Sequence, residues 1–333
     1  MLRQYLPSVL THTQLPEVEI VVADNGSTDG SLEYLQTQDV RLIVLDQNYG
    51  FADGYNRAIA QVDSEYVVLL NSDVEVTHGW LDTLLDYART HADVAALQPK
   101  VLSWHSKEKA MTSGSNAICF EHAGAAGGML DCLGYPYCRG RVMGTIEEDH
   151  GQYDDIAPVL WATGACLLIR SKDYWEVGGL DGRFFAHQEE IDLCWRLRSR
   201  GRGVVCVPQS VAYHLGGGTL PQGNPRKTFL NFRNNLLLLY KNLPEERLSR
   251  VMRLRFWLDA LASIQFLLTM QWGSFLAVWK ARRAFHEMKD DFRKDREDNL
   301  RKTTLSPVPE QSTFSLLWQY YVKGRKTFMQ LYR

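Results

Sequence analysis

Tyr66-Val67-Val68-Leu69-Leu70-Asn71-Ser72-Asp73 is an apolar run that stops at a polar triplet. A short run of Val and Leu bounded by polar residues is typical of a buried strand in a parallel sheet. Ligands of open α/β sheets bind at the carboxyl ends of the strands, so this strand directs Asn71 and Asp73 toward a ligand. A carboxylate there suits a hard divalent cation that holds phosphates.

Strands and helices alternate around this run. The apolar and turn patterns predict helices at 5–13, 31–37, 54–61 and 80–91, and strands at 18–23, 40–45, 66–70 and 94–101. This alternation indicates βαβ units and a parallel sheet. The chain opens on a helix, and a right-handed βαβ layout leads us to expect a further strand ahead of Tyr5.

The middle of the chain is less periodic. Residues 103–157 are Gly-rich and irregular, which is typical of a functional or mobile segment. Apolar character resumes at 156–170, and a strand is predicted at 204–208. Between them, the residues from Phe184 onward predict a helix with acids in its first turn, where the helix dipole favours negative charge.

Charge divides the chain into two parts. Residues 1–220 carry 16 Lys and Arg against 29 Asp and Glu, whereas residues 221–333 carry 21 against 10. The division predicts an acidic first domain at 1–220 and a basic helical extension at 221–333, with a linker at 221–225. An anionic surface is the expected partner of the extension.

Cysteine usage and hydropathy bear on the compartment. The six cysteines form no C-x-x-C pair, which favours reduced thiols of a cytosolic protein over a disulfide set or a zinc site. Residues 260–279 carry no charge and have about the length that spans a bilayer. Because Gln265, Gln271 and Gly273 interrupt them, the pattern favours an interfacial or core-packed helix pair over a true span.

Six motifs together resemble the family 2 glycosyltransferases, an inverting class with the GT-A fold, and among them the rhamnosyltransferase-type members that build bacterial surface polysaccharides. In order along the chain they are VVADNGSTDGS (21–31), NYGFADGYNRA (48–58), LLNSD (69–73), WATGACLLIR (161–170), GGLDGRFFAHQEEIDLCWRL (178–197) and HLGGG (214–218). The resemblance covers roughly residues 1–240. It implies a Rossmann-like, mostly parallel sheet with helices on both faces, and a family first strand that is missing ahead of Met1.

The resemblance also implies a donor site. The family residue matching Asp24 binds the N–H of a uracil or thymine ring, although an Asp here is equally able to cap the next helix. Asp73 matches the family's metal carboxylate and would hold Mg²⁺ or Mn²⁺ on the diphosphate, with an Asx-turn as the alternative. His214 would complete the metal shell or contact the diphosphate, or is structural. The other implied donor-binding residues are Asn25, Gly50, Asn71, Trp161, Thr163, Gly164 and Gly216, and Gly217 and Gly218 would let backbone approach phosphate.

Glu189 and Glu190 match the family's Glu-Asp pair. The resemblance implies that Glu190, in place of the usual Asp, is the general base that deprotonates the acceptor hydroxyl. The alternative is that both acids only complement the helix N-terminus. Asp192 and Arg196, four residues apart, are predicted to form an ion pair. Two further cations, Arg139 and Arg141, are either phosphate clamps or ordinary surface residues.

The function implied by the resemblance is metal-dependent inverting transfer of a sugar. The donor would be a nucleoside diphosphate sugar, such as dTDP-rhamnose or a UDP-sugar, and the acceptor a glycan or a lipid-linked molecule at the cytoplasmic face of the membrane. A nucleotidyltransferase is a second reading, but the Gly-rich basic loop that a triphosphate needs is absent from the sequence. A catalytically silent binding or scaffold protein is a third, and the missing first strand favours it.

Two further ligand classes fit the sequence poorly. No G-x-G-x-x-G follows the first strand, which argues against a dinucleotide-binding domain. Nucleic acid is not an expected partner.

Overall fold

A computed structural model describes residues 1–114, 117–216 and 223–333. The first part of the chain forms α1 (Leu2–His12), β1 (Val21–Asn25), α2 (Ser31–Leu35), β2 (Arg41–Leu45), α3 (Gly50–Ile59), β3 (Tyr66–Leu70), β4 (Val74–Val76), α4 (Trp80–Thr90) and β5 (Val94–Ser103). The predicted alternation of helices and strands is therefore present, with boundaries that differ by a few residues.

The middle of the chain is more regular than the Gly-rich sequence predicted. It forms α5 (Trp104–Ser113), β6 (Gly128–Leu130), β7 (Pro136–Cys138), β8 (Arg141–Val142), β9 (Thr145–Ile146), β10 (Ala157–Pro158), β11 (Cys166–Arg170), α6 (Ser171–Glu176), a 3₁₀ turn (Gly182–Phe184), α7 (Glu189–Ser199) and β12 (Gly203–His214). Strands β6 to β9 form a small antiparallel sheet in chain order. Strands of two or three residues joined by glycine turns are too short to show a period of two, so the sequence pattern missed them.

The central sheet has the order β10-β12-β5-β11-β3, and β4 pairs with the end of β12. Strand β12 runs parallel to β5, whereas β11 runs antiparallel between β5 and β3. Strand β11 follows the long excursion through 104–165 rather than a single crossover helix, so a parallel direction is not imposed on it. Strands β1 and β2 form a separate parallel pair. The strand expected ahead of Tyr5 stays a prediction.

Strand β12 is longer than predicted because of an irregularity at its proline. Pro208 cannot donate to a ladder, which is why the sequence pattern ended the strand there. In the structure the register to β5 shifts between Val207 and Val211, and pairing then continues to His214. An irregularity in the strand absorbs residues 208–210, which have no partner in β5. The extended strand places His214 opposite Val74 of β4, immediately after Asp73.

The C-terminal part is helical, as predicted. It contains α8 (Pro225–Asn242), α9 (Glu245–Leu268), α10 (Trp272–Met288), a 3₁₀ turn (Lys289–Phe292), α11 (Arg293–Lys302), a π turn (Trp318–Val322) and α12 (Phe328–Leu331). Residues 260–279 lie in a helix pair that turns between Leu268 and Trp272. No helix in the described ranges is long and apolar enough to cross a membrane.

The helical part shares its core with the α/β part. One buried cluster contains Leu69 of β3, Leu197 of α7, Leu236 of α8 and Phe285 of α10. Lys241 of α8 lies 2.8 Å from carboxylate oxygens of both Asp181 and Asp192. The domain division at 220 stays a prediction, and the first two residues of the predicted linker, 221 and 222, lie outside the described ranges.

Candidate active site

Asp73, His214 and Glu121 form a buried cluster at the carboxyl end of the central sheet. Nε2 of His214 lies 3.2 Å from Oδ1 of Asp73, and Nδ1 of His214 lies 3.8 Å from Oε1 of Glu121. The backbone N–H of Leu215 donates to the carbonyl of Asp73, which fixes the chain beside the imidazole. The extended strand β12 therefore brings together two residues that are 141 positions apart in the sequence.

Glu121 is a member of this cluster that sequence reasoning missed. Its backbone N–H donates to the carbonyl of Val101 at the end of β5. Gly216 packs against its carboxylate so closely that a Cβ there would lie 2.7 Å from Oε1. Because Glu121 lies in the Gly-rich segment without periodicity or a motif, no local signal marked it; only tertiary packing places it behind His214.

The pKa values of His214 and Glu121 are set by burial and by the charges within the cluster. Burial raises the pKa of Glu121, and the charge of His214 partly opposes that rise. Burial alone would lower the pKa of His214, but the hydrogen bond and charge of Asp73, with the charge of Glu121, raise it overall. The raised pKa of His214 favours its protonated form when these side chains have only each other as partners.

The cluster fits a divalent cation that is completed by substrate. Oδ1 of Asp73 and Nε2 of His214 are near enough to share one cation. Nδ1 of His214 is buried without a hydrogen-bond partner and faces Glu121, the position that a carboxylate takes behind a metal-binding histidine. Among the described residues no three His, Cys, Asp or Glu side chains are grouped so that they could hold a metal ion by themselves. A cation here would therefore take its remaining ligands from phosphate oxygens and water.

The predicted donor-binding residues at the other strand ends hold the local backbone. Asp24 is buried, and its Oδ2 accepts a hydrogen bond from the N–H of Ser27 in the turn after β1. The next helix, α2, has Gly30 at its N-cap and no side-chain cap, so Asp24 does not cap it. The amide of Asn25 donates to the carbonyl of Gly50 and accepts from the N–H of Tyr49. The N–H of Asn71 donates to the carbonyl of Ala165. Their donor-binding roles stay predictions.

Gly50 and Gly164 permit close packing near the start of helix α7, where Glu190 lies. Gly50 has a φ of +76°, and a Cβ there would lie 2.5 Å from the ring of Phe185. A Cβ on Gly164 would lie 3.0 Å from the ring of Phe51 and 3.7 Å from Cβ of Glu190. The close approach of Phe51 and Glu190 to position 164 thus depends on a glycine there.

Trp161 and Thr163, also predicted to bind donor, lie in the interior. The indole N–H of Trp161 donates to the carbonyl of Met129, and the ring covers Gly128. The N–H of Thr163 donates to Oε1 of Gln98, and its hydroxyl accepts from the N–H of Ala165. Both side chains are buried and bonded within the protein. Contact with a donor stays a prediction for them, as it does for Gly216; Gly217 and Gly218 lie outside the described ranges.

Glu189 and Glu190 begin helix α7; Glu189 is buried and Glu190 is half-buried. Each has one carboxylate oxygen, Oε2, that is buried without a hydrogen-bond partner. Burial and the charge of Glu190 raise the pKa of Glu189 well above its usual range. Burial raises the pKa of Glu190 to about 7, against the opposing effect of the backbone N–H groups of Gln188, Glu190 and Ile191. A buried, unpaired carboxyl that titrates near neutrality has the properties of a general base.

Strained backbone precedes the two acids. Phe185, His187 and Gln188 have φ values of 67°, 71° and 75°, although none of them is glycine. Such conformations are uncommon for side-chain-bearing residues and tend to occur at functional sites. Nε2 of His187 is also buried without a partner, and burial lowers the pKa of this imidazole to about 4. His187, Glu189, Glu190 and His214 thus each carry a buried polar atom without a partner, which a polar ligand would satisfy.

The other charged residues singled out in the sequence form bonds within the protein. The predicted ion pair is confirmed, since Nη2 of Arg196 lies 2.8 Å from Oδ2 of Asp192. Arg139 pairs with Asp155, and Arg141 donates to the carbonyls of His122 and Pro136. Both arginines are buried, so the reading of them as ordinary surface residues is wrong. Their bonds within the protein occupy them without any phosphate.

Comparison with known proteins agrees with these observations. Residues 1–140 match the profile of glycosyl transferase family 2. The chain is 31% identical over 230 residues to an N-acetylglucosaminyl-diphospho-decaprenol L-rhamnosyltransferase of Mycobacterium tuberculosis, which covers 64% of this chain and 71% of that protein. It is 27% identical over 179 residues to rhamnosyltransferase WbbL of Escherichia coli K12, which covers 50% of this chain and 61% of that protein.

Among solved structures, the chain resembles the crystal structure of GalNAc-T7 with UDP, GalNAc and Mn²⁺. The TM-score is 0.53 at 15% identity, and the match covers 72% of this chain and 45% of that one. This likeness confirms the predicted GT-A fold class. The profile and the two rhamnosyltransferase relatives confirm the predicted resemblance.

Proposed function

The chain belongs to glycosyl transferase family 2, and we propose that it transfers a sugar from a nucleoside diphosphate donor to a glycan or lipid-linked acceptor, with inversion at the anomeric carbon. The rhamnosyltransferase names of two relatives support an L-rhamnosyl donor such as dTDP-rhamnose, with a UDP-sugar as the alternative. The name of the mycobacterial relative also supports a lipid-linked acceptor.

The observation that carries the proposal is the state of Glu190. Its carboxyl is held away from water with one oxygen unpartnered and a pKa raised to about 7. This group can take the proton of an acceptor hydroxyl while the hydroxyl oxygen forms a bond to C1 of the sugar. The bond between C1 and the diphosphate oxygen breaks on the opposite face, and its electron pair leaves with the diphosphate. One such displacement inverts C1.

Asp73 and His214 act at the leaving group in this proposal. They would hold Mg²⁺ or Mn²⁺, with Glu121 orienting the imidazole through Nδ1. A bound divalent cation would neutralise the charge that develops on the diphosphate. Asp24 is proposed to bind the nucleotide base, and Gly164 to leave room for the sugar beside Glu190.

The proposal is tested by transfer assays with and without EDTA. The protein is incubated with dTDP-rhamnose or a UDP-sugar and a polyprenyl-diphosphate N-acetylglucosamine acceptor, and nucleotide release and product anomer are measured. EDTA, Asp73→Ala and Glu190→Gln are each expected to remove turnover, whereas Glu176→Gln on α6 serves as the control and keeps it. Full turnover in the Asp73 and Glu190 variants would overturn the mechanism.

The same assays separate the other readings. Release of pyrophosphate from a nucleoside triphosphate would favour a nucleotidyltransferase. Calorimetric donor binding without turnover would favour a catalytically silent binding protein. We place the enzyme on the cytoplasmic side of the membrane, because the basic residues from 221 onward are attracted to anionic lipids.

A further inference from the structure

Helices α9 and α10 display an apolar surface, here called the hairpin surface. It consists of large side chains that are between 50% and 78% exposed, namely Trp257, Leu261, Ile264, Leu268, Trp272 and Leu276. The four residues on α9 are spaced by four, three and four positions and so lie along one face. Soluble monomers seldom expose a contiguous apolar area of this kind without a use for it.

Helix α9 is reversed in polarity relative to an ordinary surface helix. Its buried residues include Arg255, Asp259 and Ser263, whereas its apolar residues face outward. The buried charges are paired, because Oδ1 of Asp259 accepts from Arg255 and Oδ2 accepts from Arg282 of α10 at 2.5 Å. Val251 is also buried, but the outward face from Trp257 to Leu268 is apolar. A helix face of this kind, with paired charges behind it, fits an apolar environment on its outer side.

Positive charge borders the hairpin surface. Arg250 and Arg253 are exposed on α9, and Lys280 and Arg283 are exposed on α10. The nearest exposed acid on α10, Glu287, pairs with Arg283 at 2.8 Å. A second copy of the chain would bring two like-charged borders together, which opposes self-association. Anionic lipid headgroups complement the border, and tryptophan side chains are favoured at the boundary between headgroups and acyl chains.

We propose that the hairpin surface inserts into the interface of an anionic membrane and holds the protein there without spanning the bilayer. The inference deepens the proposed function, because it rests on that proposal for the lipid-linked acceptor. The binding step itself is independent of sugar transfer and can be measured with lipid vesicles alone.

Vesicle co-sedimentation tests the hairpin surface. The full chain is expected to bind phosphatidylcholine vesicles containing phosphatidylglycerol and to bind pure phosphatidylcholine at least tenfold more weakly. The double variant Trp257→Ser, Leu261→Ser is expected to lose at least tenfold in binding to the anionic vesicles. The matched control Trp175→Ser, Trp318→Ser removes two exposed tryptophans elsewhere and should bind like the unaltered chain.

Other outcomes would overturn the assignment. They are absence of binding to the anionic vesicles, equal loss in the control, or a dimer in sedimentation that only the Trp257 and Leu261 variant abolishes. Transfer to a water-soluble acceptor is measured alongside and should be unchanged in the variant. If the unaltered chain transfers no sugar, the proposed function is contradicted, but the vesicle experiment still tests membrane binding.

A separate set of contacts joins helix α8 to the strained residues before Glu190. The side-chain amide of Asn234 donates to the carbonyls of Phe184, Ala186 and His187 at 2.9, 2.8 and 2.7 Å. The guanidinium of Arg233 donates to the carbonyl of Phe184 at 2.9 Å. Asn234 is fully buried, so its amide has no access to water as a substitute partner.

The neighbouring asparagine extends the contact to the helix cap. The amide of Asn235 donates to Oε1 of Gln188, the residue that precedes Glu189, and to the carbonyl of Gly134. Arg255 of α9 in turn donates to the side-chain oxygen of Asn235. Three positive φ values in four residues cost about 1–3 kcal/mol each and persist only where the surroundings impose them. The contacts from α8 are such surroundings.

We infer that Asn234 is a positioning residue for the general base: by holding the backbone of 184–188 it fixes where Glu190 presents its carboxylate. It does not touch the reacting atoms in this arrangement. This inference rests on the proposed role of Glu190, and it assigns to the helical extension a part in catalysis that its basic composition did not indicate.

Asn234→Ala should lower kcat by about 100-fold and change the donor KM by less than threefold, because a base displaced by about 1 Å loses rate rather than donor affinity. Water reaching the loosened carboxyl should also move the pH midpoint of kcat downward from about 7 toward 4.5. Asn231→Ala is the matched control, since that amide bonds to the carbonyl of Lys227 on its own helix, and it should keep both values.

Hydrogen exchange keeps the inference testable if activity or folding fails. Backbone amides of 184–188 should exchange faster in Asn234→Ala than in Asn231→Ala, whether or not transfer is detected. Arg233→Ala, which removes fewer contacts, should show a smaller effect of the same kind. Unchanged kcat and unchanged exchange in Asn234→Ala would overturn the inference, whereas an inactive unaltered chain would contradict only the proposed function.

Discussion

The two ends of the candidate site hold negative charge in opposite ways. At the sheet end, Asp73 and Glu121 flank His214, whose ring nitrogens lie 3.2 and 3.8 Å from their oxygens. At the helix end, Glu189 and Glu190 are adjacent, and each has one buried carboxylate oxygen without a hydrogen-bond partner. A paired cluster is suited to exchange its internal pairing for a cation and phosphate, whereas a desolvated carboxyl is suited to accept a proton. We therefore expect the sheet end to bind the donor and the helix end to accept the proton.

The largest expected effect comes from the helix end. Glu190→Gln should lower kcat by about 1000-fold, because an amide of nearly the same shape cannot accept the acceptor proton. Donor affinity measured by calorimetry with Mn²⁺ should stay within about twofold, since the amide adds no charge to the site. Weakened donor binding in this variant would show that the two ends are not separable.

A change at the sheet end should affect donor binding more than kcat. Asp73→Asn is expected to weaken metal-dependent donor binding at least about 100-fold, because a direct ligand should matter more than an outer-shell partner. At saturating donor and metal, kcat should fall less than in Glu190→Gln. Equilibrium dialysis of Mn²⁺ with nucleoside diphosphate measures the loss, and a variant that binds normally would remove Asp73 from the metal site.

Glu121 offers a finer test of the sheet end. Glu121→Gln should lower Mn²⁺ affinity by about tenfold, the usual cost of altering a residue behind a metal-binding histidine. Raising the metal concentration should restore full kcat. If excess metal leaves kcat low, Glu121 acts on the reaction rather than through His214.

The residues of the sheet end carry unequal signals in the sequence. A continuous apolar strand followed by Asn71-Ser72-Asp73 is a local signal, and it predicts Asp73 as a ligand-facing carboxylate. His214 needed the family resemblance, since Pro208 ended the predicted strand and only a bulge carries pairing further. Glu121 lies in a segment with no period, so its place depends on tertiary packing alone.

The contribution of α8 was harder still to predict. Asn234 and Asn235 are ordinary polar residues within a helical pattern. Nothing in their spacing shows that the amide of Asn234 meets backbone carbonyls 47 to 50 positions earlier, or that the amide of Asn235 meets Gln188 and Gly134. The charge pattern described residues 221–333 as a basic extension. Their shared core with the α/β part depends on long-range contacts that periodicity does not report.

The pH dependence of kcat should report the helix end. Burial raises the pKa of Glu190 to about 7, so the base is protonated below that value and free above it. At saturating donor and metal, kcat should therefore rise with pH to a plateau with a midpoint near 7, and be about tenfold lower at pH 6. Donor binding followed over the same range serves as the control. A midpoint near 4.5 would mean that the carboxyl is hydrated in the working enzyme.

Removing the Glu190 charge should raise the stability of the folded protein, although it lowers activity. In the unfolded chain the Glu190 carboxyl ionises near its ordinary value of 4.5, whereas the folded protein holds the proton to about 7. The unfolded state therefore binds fewer protons between these values, so the free energy of unfolding falls as pH rises through that window and stays lower above it. Glu190→Gln carries no such charge and should be more stable than the unaltered chain by about 3 kcal/mol at pH 8, with the gain vanishing below pH 4.5. Urea unfolding at both pH values measures the difference. Asp73→Asn should show no comparable gain in stability, because the Asp73 carboxylate is paired with His214. A similar gain in that variant would contradict the proposed difference between the two ends.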